Sequence, residues 1–497
     1  MRLSKEFFAE AERSPEPGAG STPSGGLGLL QSRELGPSIA RPGTGMLLTM
    51  GMLAVTTRLN RPVPPPTLDD LVRLPRRPAT PAARIVLVAV NVAAIAFCLL
   101  SFRHGVRFGP YRIDLDVYRI GGRVWLSHGD LYGALPATSS GVRLPFSYPP
   151  VAAILLSPLA LAPLALDDIV LTLSTIALTA LVLRVFLRSV AGPRAGSWWT
   201  LGWLLPVALF LEPVRSTLGY GQINVALMAL VSLDCLLAAP HWPRGALVGL
   251  AAAVKLTPAV FVLFFLCRSD WRAAGTAAVS FAAASAAGLL LAWHDSVRYW
   301  TSVVFQTGRP GSPLYAANQS IQGVLSRAGL DPRTPAGTAE WLALSAVVLV
   351  LAVAAMRRAF AGSQDAWALS LKAFAGLLIS PISWSHHWVW AEMGVLVLAI
   401  TSLRRRDRGG LVAAAIGVAI FAAAPQWWFP HGMNREAHWA AWQQVVGSSY
   451  VIYAVVILLL PLWRRPGTVR SGSRARLYVP FASIFRAFRT SKWSQGT

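Results

Sequence analysis

The sequence predicts an all-α polytopic membrane protein with about 10 to 13 membrane helices or half-helices. Three observations carry that expectation. Hydrophobic residues make up 54% of the 497 and charged residues only 13%, roughly half the charged share of a soluble domain. Apolar runs of membrane-spanning length recur from residue 84 to residue 463. The arginines behind the net charge of +23 gather in short segments between those runs, the bias that marks cytoplasmic loops. The same bias accounts for a pI near 11.2 and argues against nucleic acid as a partner.

Taken in order, residues 1–80 are rich in Pro, Gly, Ser and Arg and read as a disordered cytoplasmic tail. Its patch GMLLTMGMLAV (45–55) is too short to span, and Met46, Met50 and Met52 are alternative starts. Arg73, Arg76, Arg77 and Arg84 precede a first span near 84–102, which sets the N-terminus inside. The proline-broken segment 149–165 is expected to be a half-helix or re-entrant piece, because a full crossing would turn Arg184, Arg188 and Arg194 outward. Spans follow near 168–189, 198–213 and 222–239, then a hairpin at 245–267. Further spans near 273–292, 342–358, 366–382, 389–403, 410–424 and 446–463 keep Arg244, Arg268, Arg272, Arg357, Arg358 and Arg404–Arg406 inside. Residues 464–497 form a basic tail suited to the anionic inner leaflet. Cys98, Cys235 and Cys267 show no CxxC or Cys/His spacing and read as small core hydrophobes.

This threading leaves loops 103–148, 214–221, 293–341, 383–388 and 425–445 outside, and they hold most of the misplaced polar residues. In DLDVY, Asp114 and Asp116 are two apart, so at most one faces a given site; a carboxylate there serves as a general base or as a helix N-cap. Arg119 and Arg123 suit phosphate oxygens, or lie along a surface helix facing headgroups. LPFSYPP (144–150), with Tyr148, is a rigid interfacial lead-in. Gln222 and Asn224 of GYGQIN either glue helices or bond a substrate hydroxyl. Lys255, three residues before Pro258, is either paired with Glu212 or Asp234 or is a cation for a lipid-linked phosphate. Asn318 opens an N-x-S sequon. His386 and His387, in SPISWSHHWVW, read as donors or proton handlers toward an anionic headgroup. A metal site would need further ligands, for which only His431 and His438 of a later loop offer themselves. Trp427, Trp428, Trp439 and Trp442 form an interface belt or, less simply, a surface for stacking on sugar.

DLDVY, PFSYPP, YGQIN, KLTP, NQS and SPISWSHHW occur in that order between residues 114 and 390. With these motifs the chain resembles the actinobacterial polyprenol-phosphate-mannose-dependent mannosyltransferases, glycosyltransferase family 87 of the GT-C superfamily, over about 84–463. The resemblance implies a GT-C-like domain in the plasma membrane with its active site facing outward. It implies mannose transfer from polyprenyl phosphate mannose to a phosphatidylinositol mannoside, lipomannan or similar glycolipid, forming an α linkage, often α-(1→2), with inversion and without a metal or other cofactor. By position Asp114 is the base, with Asp116 second. Lys255, His386, His387 and Arg123 fall to the donor phosphate, and Tyr118, Tyr148, Gln222, Asn224, Asn318 and Gln319 to the acceptor or sugar. The alternatives are a transferase for another polyprenyl-linked sugar, arabinose or glucose, and a lipid-linked sugar transporter. The second should show internal repeats, and none is apparent.

Overall fold

The structure is a computed structural model that describes residues 80–101, 112–306, 308–309 and 311–463. The two expected tails lie outside the described residues except for Thr80, as do Arg103 and Arg107 of the expected first outer loop. Among the described residues there are eighteen α-helices and no strand, with an isolated antiparallel bridge between Asn318 and Trp384. The all-α membrane class therefore holds. Five helices are long and apolar enough to cross a bilayer, and up to seven if each of two bent pairs counts as one span. Three shorter apolar helices, Pro150–Leu161, Asn224–Leu236 and Thr257–Arg268, add partial crossings.

Helix Pro150–Leu161 shows how a half-helix is held. Its twelve residues rise about 18 Å, well short of a hydrocarbon core of about 30 Å. Its terminal carbonyls therefore need partners inside the protein. Arg119, on helix Ile113–Leu126, supplies them: its guanidinium donates to the carbonyls of Leu159 (2.8 Å) and Ala162 (2.9 Å) and pairs with Asp167. Arg119 is thus a buried capping group.

The hairpin at 245–267 is anchored in the same way. Asp234, fully buried in helix Asn224–Leu236, accepts from the backbone of Gly245 (2.9 Å) and Val248 (2.9 Å), capping helix Ala246–Val254. Arg244 answers by donating to the carbonyls of Asp234 and Leu237, the free end of the preceding helix. Helix Ala246–Val254 lies against Trp271–Leu291, and Ser280 Oγ bonds the Ala246 carbonyl at 2.8 Å. Gly249 makes this approach possible, since a Cβ there would collide with the Ala277 carbonyl oxygen. The helix stops at Val254 because Pro258 has no N–H for the next turn and its ring would clash with the carbonyl four residues back. Lys255 follows in extended conformation (φ −145°, ψ 125°), where its side chain leaves the helix line.

The basic helix ends join in pairs. Arg404 donates to the Val190 carbonyl, Arg268 pairs with Asp365 at 3.0 Å, and Arg358 donates to the Leu462 carbonyl at 2.7 Å. Helix Trp390–Arg405 begins next to His387 and ends at Arg404 and Arg405, so about 24 Å of helix separates the histidine pair from the basic end.

Gly249→Val should lower the thermal midpoint of the purified protein in detergent, by an overpacking cost of about 1–3 kcal/mol. Gly275→Val on the facing helix, where a Cβ meets nothing within 4 Å, should leave it unchanged.

Candidate active site

Helix ends around Ile113, Tyr220 and Lys255, with loops 306–333, 382–387 and 433–437, enclose a cavity of about 1330 Å³. Asp114, Tyr148, Gln222, Lys255, His386 and His387, far apart in sequence, all line it. Asp114 sits in the first turn of Ile113–Leu126, an amphipathic helix outside the set of membrane spans. Its Oδ2 accepts from Gln222 Nε2 at 2.8 Å. The Gln222 amide is oriented in turn by the Tyr118 hydroxyl, which donates to its Oε1 at 2.9 Å, and by Tyr148 at 3.4 Å. The two tyrosines touch at 3.2 Å through their hydroxyls. Burial pushes the Asp114 carboxyl up to about 6, against the opposing pull of the Gln222 hydrogen bond and the Lys255 charge. A carboxylate so placed is a usable base near neutral pH.

Across the cavity, Lys255 Nζ donates to Asn224 Oδ1 at 3.1 Å and lies 3.4 Å from His387 Nε2 and 5.4 Å from the centre of the Tyr148 ring. An ammonium only donates, so Nε2 accepts and the His387 proton resides on Nδ1. Asn224 turns its amide nitrogen to the His386 carbonyl at 2.9 Å, which Thr217 Oγ1 also bonds at 2.9 Å. These bonds fix the backbone of the histidine pair, and both residues border the cavity. His386 is 6% exposed, and neither of its ring nitrogens has a hydrogen-bond partner. Burial, reinforced by the Lys255 charge, holds both imidazoles well below the usual histidine range, so both are neutral N–H donors. Lys255 pairs with neither structural carboxylate. Asp234 caps a helix, and Glu212 accepts from Ser385 Oγ (2.8 Å), Trp427 Nε1 (3.1 Å) and Tyr450 OH (2.9 Å). The site thus combines a base, a cation and neutral donors around an open volume, a set suited to taking a proton from a hydroxyl while a phosphate departs.

Other sequence candidates lie elsewhere. Asp116 points away from Asp114, as residues two apart on a helix must, and accepts from Ser139 N (2.7 Å) and Oγ (2.9 Å). It lines a separate small pocket with Arg119 and Arg123, so Arg123 is not in the cavity with Lys255. Tyr118 is fully buried behind Gln222, and Asn224 stands behind Lys255; both position cavity residues. Asn318 and Gln319 are also fully buried. Asn318 Oδ1 accepts from Ser383 N at 3.0 Å, and Gln319 Nε2 donates to the carbonyls of Ala316 and Gly447, so both pin the loop leading to the histidines. The sequon asparagine is thus enclosed in the fold. Of the belt tryptophans, Trp428 and Trp442 are exposed, whereas Trp427 and Trp439 turn inward onto Glu212 and the Pro430 carbonyl.

The motif reading passed over Arg309, held on the cavity wall by the carbonyls of Phe146 (3.2 Å) and Tyr132 (3.0 Å), and Tyr220, whose ring lies 5.0 Å from His386. Tyr220 was within reach, since it stands in GYGQIN; Arg309 carries no local signal. No group of three His, Cys, Asp or Glu side chains able to hold a metal ion occurs among the described residues.

Comparison with known proteins identifies relatives of the chain. The profile described as Glycosyltransferase family 87 matches residues 146–381. The chain is 39% identical over 417 residues, 78% of its own length and 96% of the relative's, to the polyprenol-phosphate-mannose-dependent alpha-(1-2)-phosphatidylinositol mannoside mannosyltransferase of Mycobacterium tuberculosis (strain ATCC 25618 / H37Rv). It is 41% identical over 378 residues, 71% of this chain and 83% of the relative, to the protein of the same name from Mycolicibacterium smegmatis (strain ATCC 700084 / mc(2)155). A similarly named phosphatidylinositol pentamannoside mannosyltransferase of Mycobacterium tuberculosis (strain CDC 1551 / Oshkosh) is 34% identical over 63% of this chain and 73% of its own length. No solved structure matches significantly. With 39% identity over nearly the whole length of the first relative, the chain belongs to glycosyltransferase family 87.

Proposed function

We propose that the chain transfers mannose from polyprenyl phosphate mannose to a hydroxyl of a phosphatidylinositol mannoside or related lipoglycan, forming an α-(1→2) link with inversion. The site works on the extracytoplasmic face of the plasma membrane. The observation that carries this reading is the shared cavity: Asp114, with its carboxyl raised to about 6, opposite Lys255 and two neutral histidines. Donor and acceptor identity rest on the names of the relatives. The facing of the site rests on the basic helix ends, which pair with one another at the far end of the helix that starts beside His387.

In this scheme Asp114 accepts the proton of the acceptor hydroxyl as that oxygen attacks the anomeric carbon. The bond between that carbon and the phosphate oxygen breaks on the opposite side, and the electron pair leaves with polyprenyl phosphate. Lys255 and the N–H groups of His386 and His387 meet the charge that develops on the phosphate. Gln222 holds the Asp114 carboxylate at 2.8 Å and directs its remaining lone pairs to the cavity. No cofactor enters the scheme, because the leaving group is already activated and its charge is met by side chains.

Asp114→Asn should reduce transfer in membranes supplied with polyprenyl phosphate mannose by about 10²-fold or more with expression intact; full activity would reassign the base. Activity of the unchanged protein should fall as pH drops through about 6, where the base takes a proton. Gln222→Leu removes a hydrogen bond that favours the ionised carboxylate, so that acid limb should move to higher pH. His386→Ala should raise KM for the donor more than KM for the acceptor, and the opposite pattern would move the histidines to the acceptor side.

A further inference from the structure

Tyr220 stands where the base side and the phosphate side of the cavity meet. It is the last residue of helix Glu212–Tyr220, which closes in a tight turn. Gly221 N donates to the Leu218 carbonyl at 3.3 Å and Gln222 N to the Thr217 carbonyl at 2.9 Å, the pairing that ends many helices. Gly221 takes φ 74° in that turn, a conformation that favours glycine. A Cβ there would also come within 2.8 Å of Leu115 Cβ and 3.1 Å of Arg112 Cβ. The turn is thus pressed onto the helix start that carries Asp114, and it sends Gln222 to that carboxylate at 2.8 Å. The same helix also packs along Ser385–Val389. There Thr217 Oγ1 holds the His386 carbonyl at 2.9 Å, and the Tyr220 ring lies 5.0 Å from the His386 ring.

Tyr220 is half-buried and lines the cavity together with Asp114, Lys255, His386 and His387. It lies close enough to Asp114 for the carboxylate charge to act on it. No hydrogen bond from its hydroxyl to another protein group occurs among the described residues. In this it differs from Tyr118 and Tyr148, whose hydroxyls both engage Gln222. Packing against His386 accounts for the ring of Tyr220, and a phenylalanine would serve that purpose equally. The hydroxyl, both donor and acceptor, is left to whatever occupies the cavity.

Displacement with inversion places the incoming oxygen and the departing phosphate on opposite sides of the anomeric carbon. With the base at Asp114 and the phosphate at Lys255 and the histidines, the transferred sugar spans the space between them. A side chain beside both Asp114 and His386 therefore adjoins that sugar. A hexose presents C–H faces that pack on aromatic carbon and hydroxyls that seek neutral partners, and a tyrosine meets both needs. We propose that Tyr220 binds the transferred hexose, its hydroxyl forming a hydrogen bond with one hydroxyl of that sugar. The assignment rests on the transferase reading and deepens it. Tyr220 becomes a determinant of which sugar is transferred, since a site that hydrogen-bonds a substrate hydroxyl rejects a donor lacking it.

The test uses the full chain in liposomes with an alkyl mannoside acceptor. The donors are a short-chain polyprenyl phosphate mannose and its monodeoxy analogues at carbons 2, 3, 4 and 6. Tyr220→Phe keeps the ring against His386 and removes one oxygen. It should lower kcat/KM for the complete donor about fivefold, as one hydrogen bond between neutral groups requires, with KM for the acceptor unaltered. With one of the deoxy donors the variant and the unchanged protein should perform equally, because the partner hydroxyl is already gone. The acid limb near pH 6 should stay in place in this variant, in contrast to its movement in Gln222→Leu. No loss with the complete donor, the same loss with every donor, a change confined to the acceptor KM, or a displaced acid limb overturns the assignment. Failure of the unchanged protein to transfer mannose from the complete donor would overturn the proposed function itself.

Discussion

An ammonium group at the edge of a hydrocarbon layer has to be matched by polar groups within reach, and the way Lys255 is matched governs the site. Its contacts are an amide oxygen, an imidazole nitrogen and the face of a tyrosine ring, none of them formally charged. The two carboxylates that might have neutralised it are spent elsewhere, Asp234 on a helix N-terminus and Glu212 on three donors from distant segments. The positive charge therefore acts across the cavity, on the Asp114 carboxyl and on whatever enters between them, the use expected of an intramembrane lysine. Pro258 makes this possible by ending the helix just before Lys255, and Asp234 holds that helix in place.

The same economy runs through the rest of the chain. Helix ends leave carbonyls uncovered, and arginines cover them: Arg119 on Pro150–Leu161, Arg244 on Asn224–Leu236 and Arg404 on Leu164–Ala191. Much of the formal positive charge near the membrane is thus structural. Only a minority of the cations, Lys255 and Arg309 among them, face the large cavity.

Much of this was legible from residues alone. The apolar runs and arginine bias were enough for an all-α membrane fold, and the ordered motifs singled out Asp114, Lys255, His386 and His387. The choice between Asp114 and Asp116 was harder, since spacing says only that they face apart, and which face is covered depends on loop 137–139 folding back. Arg123 lines the small pocket rather than the large cavity, a difference sequence does not show, since a guanidinium looks the same there whether it faces a ligand or a headgroup. Asn318 and Gln319 sit in a genuine motif, yet the motif serves to fix a loop.

The central claim, that the donor phosphate sits against Lys255 and the histidines with the sugar toward Asp114, is tested most directly by an experimental structure of the protein bound to a non-transferable analogue of polyprenyl phosphate mannose. The account predicts a phosphorus atom within hydrogen-bonding reach of Lys255 Nζ and a ring nitrogen of His386 or His387, with the anomeric carbon facing Asp114 across space for a hydroxyl. A phosphate seated instead in the small pocket beside Asp116 and Arg123, or a sugar turned away from Asp114, would contradict it.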